Sequence, residues 1–171
     1  MGAAEKGLGD APYGLVGRRL GHSWSAQIHE RLGSAPYRLV ELEPDELAPF
    51  VRQGSWCGLN VTIPYKREAA RLADVRSAAV ERLGAANTLV RAEDGSIVAE
   101  NTDVLGFAWM LSRFCRERLG ASPRELLEGE KVIVLGSGGA SQAVVDALSN
   151  TVGAEPVVIS RSGTETYDTL V

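Results

Sequence analysis

Lys66 follows the run Gly58-Leu59-Asn60-Val61-Thr62-Ile63-Pro64-Tyr65 in a 171-residue chain whose 18 basic side chains comprise 15 Arg and only three Lys: Lys6, Lys66 and Lys131. A guanidinium keeps its proton throughout the range a protein meets, whereas an ammonium can be tuned, so acid or base chemistry here falls to a Lys. Polar Asn60 and Thr62 alternate with apolar neighbours until Pro64 stops the strand. In open α/β sheets ligands sit at the C-terminal ends of strands, so Thr62 and Lys66 can address one small molecule. The competing reading of Lys66 is a solvated side chain at a helix start, opposed to the helix dipole. Small polar residues recur in Gly84-Ala85-Ala86-Asn87-Thr88 and Asn101-Thr102-Asp103. Singly these are ordinary turn residues. With Lys66 they supply an amide, a carboxylate and an ammonium, a set suited to a polyhydroxylated ligand. Gly21-His22-Ser23-Trp24-Ser25 adds two hydroxyls ahead of a helix, where a carboxylate could also receive N–H groups; Ser25 as an ordinary N-cap is the alternative.

A second chemistry is suggested by Gly136-Ser137-Gly138-Gly139-Ala140, which follows an apolar strand and precedes a helix with no charge in its first turn. Backbone N–H groups in that setting can receive a pyrophosphate. Ser141 stands where the third glycine of G-x-G-x-x-G belongs, which leaves a dinucleotide loop and a plain tight turn both open. The next strand ends in Ser160-Arg161-Ser162, where an NAD enzyme usually carries an acid; Arg161 favours a 2′-phosphate, hence NADP, against the alternative of a solvated loop Arg. His22 and His29 are seven apart, without Cys or acidic companions, and make no metal site.

The elements that must hold these groups follow from periodicity. Tyr13 to Val16 reads as a strand, and Trp24, Ile28 and Leu32 recur at helical spacing up to Gly33. Residues 37–42 read as a strand, Pro44-Asp45-Glu46 opens a helix, Gly58 to Ile63 is a third strand, and Tyr65 to about Leu83 reads as one helix. Asn87 to Arg91 and Ile97 to Glu100 flank Asp94-Gly95 as a hairpin, so the sheet is expected to be mixed. Val104 to Leu119 is helical, and the breakers after Gly120 put a domain boundary near residues 122 and 123. Lys131 to Val171 then holds about one β-α-β unit of a doubly wound domain, which is expected to be interrupted. The fold class is α/β: a mixed-sheet domain over 1–122, then the start of a Rossmann domain over 123–171.

Composition narrows the class of function. The chain is 44% hydrophobic and 23% charged, ordinary for a globular protein. Eighteen Lys plus Arg against 22 Asp plus Glu give a net charge of −4, which supplies no basic face for nucleic acid. No apolar run reaches the roughly 18 residues of a membrane span, and residues 1–10 have no signal-peptide centre, so a cytoplasmic protein without a membrane partner is expected. Cys57 and Cys115 lack C-x-x-C spacing and read as free thiols, packed as small apolar residues.

Taken in order, H-S-W-S-A-Q-I-H, G-L-N-V-T-I-P-Y-K, G-A-A-N-T-L, N-T-D-V-L-G-F, V-L-G-S-G-G-A and S-R-S resemble the shikimate dehydrogenase family from Tyr13 to Arg161. The resemblance implies a substrate domain followed by a Rossmann domain that binds NADP, and reduction of 3-dehydroshikimate to shikimate on the route to chorismate and the aromatic amino acids. It implies that Ser23 and Ser25 hold the substrate carboxylate, that Thr62, Asn87 and Asp103 contact the ring and its hydroxyls, and that Lys66 and Asp103 are the catalytic pair. Gly136, Ser137, Gly138, Gly139 and Ala140 match the pyrophosphate loop, and Ser160, Arg161 and Ser162 the 2′-phosphate grip. The chain departs from the family at Arg19-Leu20-Gly21-His22, where Pro-Ile is common, at Ala26 for a frequent Pro, and at Ser137 for Ala. Family members also continue beyond the segment present here, with further substrate contacts. The implied protein is a monomer or homodimer whose partner is a small molecule. A quinate/shikimate dehydrogenase using NAD and a non-catalytic shikimate-binding fragment are the alternatives; Ser25 and Arg161 speak against the first.

Overall fold

The computed structural model describes residues 10–34, 36–161, 163 and 165–167. It divides into two units, Met1–Asn101 and Thr102–Val171.

In the first unit, β-α alternation builds a parallel block: β1 (Tyr13–Gly17), α1 (Ser25–Arg31), β2 (Tyr37–Glu41), α2 (Pro44–Gln53) and β3 (Gly58–Val61). There follow α3 (Lys66–Leu72), β4 (Val75–Arg76), α4 (Ala78–Leu83), β5 (Thr88–Arg91) and β6 (Ile97–Glu100). The strand order is β2-β1-β3-β5-β6-β4. β1 is parallel to both β2 and β3, β5 runs antiparallel to β3 and β6, and β4 lies parallel to β6, so the expected mixed sheet is present. Period-two alternation puts Val16, Val40, Leu59, Val61, Leu89, Ile97 and Ala99 into the main core, with Leu47, Phe50 and Val51 of α2. The start of α2 is fixed by a reciprocal cap between Glu43 and Glu46, with Pro44 in the first turn.

Three local expectations need correction here. The stretch 65–83 is not one helix. Asp74 leaves the helical path to accept the Ile97 amide at 2.9 Å, Val75 and Arg76 join the sheet beside β6, and Ser77 opens α4 as its N-cap. The Trp24, Ile28, Leu32 stripe does not enter a core, for α1 buries none of its residues and those three side chains are 72%, 53% and 72% exposed. Cys57 is likewise exposed, whereas Cys115 is buried.

The second unit begins with α5 (Thr102–Phe114), which runs into a π-helical turn over Cys115–Leu119 and stops at Gly120, φ +72°. α5, read from the sequence as the close of the first domain, packs against α7 of its own unit. A short helix α6 (Pro123–Leu127), capped reciprocally by Ser122 and Glu125, occupies the stretch read as breakers alone. Then come β7 (Ile133–Leu135), α7 (Gly139–Ala147) and β8 (Val157–Ile159), with β7 and β8 parallel in the register Ile133↔Val157 to Leu135↔Ile159. This is the expected β-α-β step. Among the described residues no helix is long and apolar enough to cross a membrane.

Candidate functional site

A cavity of about 560 Å³ lies where the parallel strands β1, β2 and β3 end. Leu15, Glu41 and Thr62 line it from the strand ends, and Arg19, Leu20, Gly21, His22, Ser23 and Ser25 from the loop after β1. Gly17 lets that loop close on the sheet: a Cβ there would stand 2.6 Å from Leu20 Cδ2 and 2.7 Å from Thr62 Cγ2, so the Leu20 and Thr62 side chains would have to shift. The loop is pinned by backbone groups. Leu20 N–H donates to Glu41 Oε1 at 2.6 Å, Ser23 N–H to the Leu20 carbonyl at 2.8 Å, and Leu42 N–H to the Gly17 carbonyl at 3.0 Å.

Ser23 Oγ accepts the Ser25 amide at 3.2 Å and donates to Ser25 Oγ at 3.1 Å. Ser25 is thus the first helical residue, with Trp24 in the cap position, and the N-cap alternative for Ser25 is not realised. The two hydroxyls share the cavity lining with Thr62, so three of the sequence-predicted side chains meet in one place. Hydroxyls both donate and accept, which suits a carboxylate and ring hydroxyls alike.

Lys66 and Asn87 lie outside that lining but are fastened to the same strand end. After the cis Ile63–Pro64 bond, Tyr65 N–H turns back to the Thr62 carbonyl at 2.9 Å, and the Tyr65 hydroxyl donates to the Leu42 carbonyl at 2.5 Å. Burial, with Glu43 nearby, holds the Tyr65 phenol above its ordinary value, so it stays a donor. Lys66 then opens α3, and its carbonyl accepts the Ala86 amide at 2.8 Å. Asn87 is held on both sides of its backbone: its carbonyl accepts Val61 N–H at 2.7 Å and its amide donates to Glu100 at 3.1 Å. Asn101, 4% exposed, donates from Nδ2 to the Ala85 carbonyl at 2.9 Å and so fixes the turn before Asn87. Asp103 stands half-buried in the first turn of α5, in the second unit.

Arg19 and Glu41 belong to the cavity lining and were not picked out as site residues from the sequence. Glu41 had a legible signal, since it closes a strand parallel to β1 at the edge where ligands bind. Arg19 Nη2 reaches Glu43 Oε1 at 3.3 Å, and Arg18 Nη2 reaches Glu43 Oε2 at 3.0 Å; all three side chains are substantially exposed, so these pairs contribute little to stability.

In the second unit Gly136 adopts φ +100°, a conformation that glycine alone takes without strain, and its amide donates to the Ile159 carbonyl at 2.7 Å. Ser137, Gly138, Gly139 and Ala140 are exposed, and a Cβ on Gly136, Gly138 or Gly139 would meet nothing within 4 Å. Gly138 opens the nine-residue helix α7, whose first turn has no acid and no side-chain cap. Ser141 Oγ donates to the Gly138 carbonyl at 2.7 Å and leaves the N–H groups of the turn alone. An open glycine loop ahead of an uncapped helix start fits a pyrophosphate. Arg161 is exposed in the turn after β8. Ser160 is 4% exposed; its Oγ has no hydrogen-bond partner among the described residues and lies 2.7 Å from where a Cβ on Gly163 would be. Ser162 lies outside the described residues. Among the described residues no cluster of three His, Cys, Asp or Glu could hold a metal ion.

Residues 15–89 match the family profile described as shikimate dehydrogenase substrate binding domain. A relative from Chromohalobacter salexigens named shikimate dehydrogenase (NADP(+)) is 39% identical over 150 residues, 82% of this chain and 52% of that protein. Among solved structures, a chorismate mutase/shikimate 5-dehydrogenase fusion protein from Clostridium acetobutylicum is 36% identical with a TM-score of 0.72, covering 87% of this chain and 54% of its own. A shikimate 5-dehydrogenase from Thermus thermophilus, in complex with NADP(H) and shikimate, is 30% identical with a TM-score of 0.69, covering 88% of this chain and 56% of its own. The chain spans about half the length of the curated relatives it matches.

Proposed function

We propose that this chain, whose residues 15–89 match the shikimate dehydrogenase substrate binding domain, serves the reversible, NADPH-dependent reduction of 3-dehydroshikimate to shikimate, in the cytoplasm and without a nucleic-acid or membrane partner. On this reading residues 1–122 form the substrate domain and residues 123–171 begin the nucleotide domain. The observation that carries it is that Ser23, Ser25 and Thr62 line one cavity at the C-terminal ends of parallel strands.

Ser23 and Ser25 hold the substrate carboxylate, and Thr62 and Asn87 bind ring hydroxyls. The Lys66 ammonium gives its proton to the oxygen of the C3 ketone as negative charge builds there, and takes it back in the reverse direction. Asp103 is the second member of the catalytic pair. NADPH, when bound, supplies the hydride that the ketone carbon receives. Gly136 to Ala140 hold the pyrophosphate, and Arg161, with Ser160 and Ser162, binds the 2′-phosphate.

Calorimetric titration of the 171-residue chain with shikimate and, in parallel, quinate tests this reading. Saturable binding that prefers shikimate supports it. A folded chain that binds neither, or prefers quinate, overturns it.

A further inference from the structure

Glu41 stands opposite Gly17 at the end of the β1–β2 ladder and belongs to the lining of the cavity of about 560 Å³. The loop that leaves Gly17 towards α1, Arg18 to Trp24, contains no proline, and a Cβ on Gly21 would meet nothing within 4 Å, so hydrogen bonds set its course. Leu20 is its anchor. The Leu20 side chain is 4% exposed and lies over Gly17. Its N–H donates to Glu41 Oε1 at 2.6 Å, and its carbonyl accepts Ser23 N–H at 2.8 Å. The second bond closes a four-residue turn from Leu20 to Ser23. Ser23 Oγ then accepts the Ser25 amide at 3.2 Å and donates to Ser25 Oγ at 3.1 Å. One line of bonds therefore runs from the Glu41 carboxylate to both serines.

Among the described residues Arg18 and Arg19 pair with Glu43, which leaves the Glu41 carboxylate to the Leu20 amide. Around this loop two guanidiniums thus meet two carboxylates, so no surplus of positive charge draws an anion in. A carboxylate ligand is held there by donors standing in the right places. We propose that Glu41 is a positioning residue for substrate binding: through the Leu20 amide it fixes the turn that presents Ser23 and Ser25 to the substrate carboxylate. This rests on the reading of those two serines as the carboxylate contact. Without the acceptor, the amide of a buried residue loses its partner, and the proline-free turn relaxes until that amide reaches water. The serines move with the turn. Thr62 does not, because its own N–H is tied to the Val16 carbonyl at 2.9 Å. Loss of Glu41 therefore falls on the carboxylate end of the ligand and spares the ring.

The test uses the 171-residue chain and two variants: Glu41→Leu, which removes the acceptor, and Glu41→Gln, which keeps a carbonyl acceptor without the charge. Glu41 is exposed, so neither change disturbs the core. In ¹⁵N-labelled protein without ligand, Glu41→Leu shifts the Leu20 and Ser25 amide signals while that of Thr62 stays in place. Glu41→Gln shifts the Leu20 signal and returns that of Ser25 to its parent position. In calorimetry Glu41→Leu weakens shikimate binding about tenfold and binding of shikimate methyl ester by less than about threefold, while Glu41→Gln keeps both within about threefold of the parent. A Leu20 signal indifferent to either variant overturns the proposal. So do equal losses for acid and ester, a Glu41→Gln variant that binds as weakly as Glu41→Leu, and tighter shikimate binding by Glu41→Leu, which would mark the carboxylate as a repelling charge. If the parent chain binds no shikimate, the functional reading falls, and the amide signals alone decide the positioning role.

Discussion

The Lys66 carbonyl accepts the Ala86 amide at 2.8 Å, and the next residue, Asn87, accepts Val61 N–H at 2.7 Å. Two segments that the sequence separates by some twenty residues are therefore locked to one strand end by main chain alone. Side-chain substitution at Lys66 leaves these bonds intact. Lys66→Ala should therefore preserve the fold and keep the shikimate dissociation constant within about threefold, while turnover of 3-dehydroshikimate with NADPH falls by roughly 10²–10⁴-fold, the usual worth of a positioned acid. Calorimetry and the loss of NADPH absorbance check the two halves; unchanged turnover would remove Lys66 from its role.

Ser23 and Ser25 separate structural from binding contributions. Ser23 Oγ takes the Ser25 amide at the start of α1, whereas Ser25 Oγ receives the Ser23 hydroxyl and makes no cap. Ser23→Ala removes the acceptor of the Ser25 amide and should lower the stability of the chain by about 1 kcal/mol, the usual net worth of one hydrogen bond. Ser25→Ala should leave stability within about 0.5 kcal/mol of the parent. Both variants should weaken shikimate binding. Urea midpoints beside titrations distinguish the two, and equal stability losses would refute the assignment.

What the sequence disclosed and what it concealed divide by the range of the interaction. Strands β1 to β3 and the hairpin were legible because hydrophobic alternation, Pro64 and Asp94-Gly95 act locally. Thr62 was legible as a polar residue at a strand end, and Ser23 and Ser25 as hydroxyls ahead of a helix; the resemblance assigned all three to one substrate, and all three line one cavity. The break at Asp74 was not, because its cause is the Ile97 amide, a partner far along the chain. Glu41 was legible as the last residue of a strand parallel to β1, but its bond to the Leu20 amide, which ties the loop to β2, was not. The exposed stripe on α1 shows the limit of periodicity, which identifies an apolar face but not what covers it.

Gly136 offers a test confined to the nucleotide loop. Its φ of +100° is open to glycine, and a Cβ would find no obstructing atom within 4 Å, so strain in the backbone alone opposes substitution. Gly136→Ala should cost about 1–2 kcal/mol and weaken NADP binding. Gly139→Ala, where φ is not positive and space is also open, should leave stability near the parent value, with NADP affinity reporting how closely the pyrophosphate approaches. Thermal unfolding and NADP titration of the two variants give the comparison; equal destabilisation would show that conformation is not the cause.

Asp74 makes the fold sensitive to acid. Its Oδ2 accepts the Ile97 amide at 2.9 Å and its Oδ1 accepts Arg52 Nη1 at 2.9 Å, and these two bonds, the backbone one first, hold its carboxyl below the ordinary carboxylate value. A group whose folded pKa is depressed binds fewer protons in the folded than in the unfolded chain. The stability it contributes is therefore complete above the unfolded value of about 3.9 and is lost as pH falls towards the folded one. Asp74→Asn keeps the shape but weakens both bonds, so it should lower the urea midpoint at pH 7 and flatten the decline of that midpoint below about pH 4. Midpoints measured from pH 7 down to pH 3 would show the two curves converging at the acid end. Parallel curves would mean that the Asp74 charge contributes nothing to holding β4 beside β6.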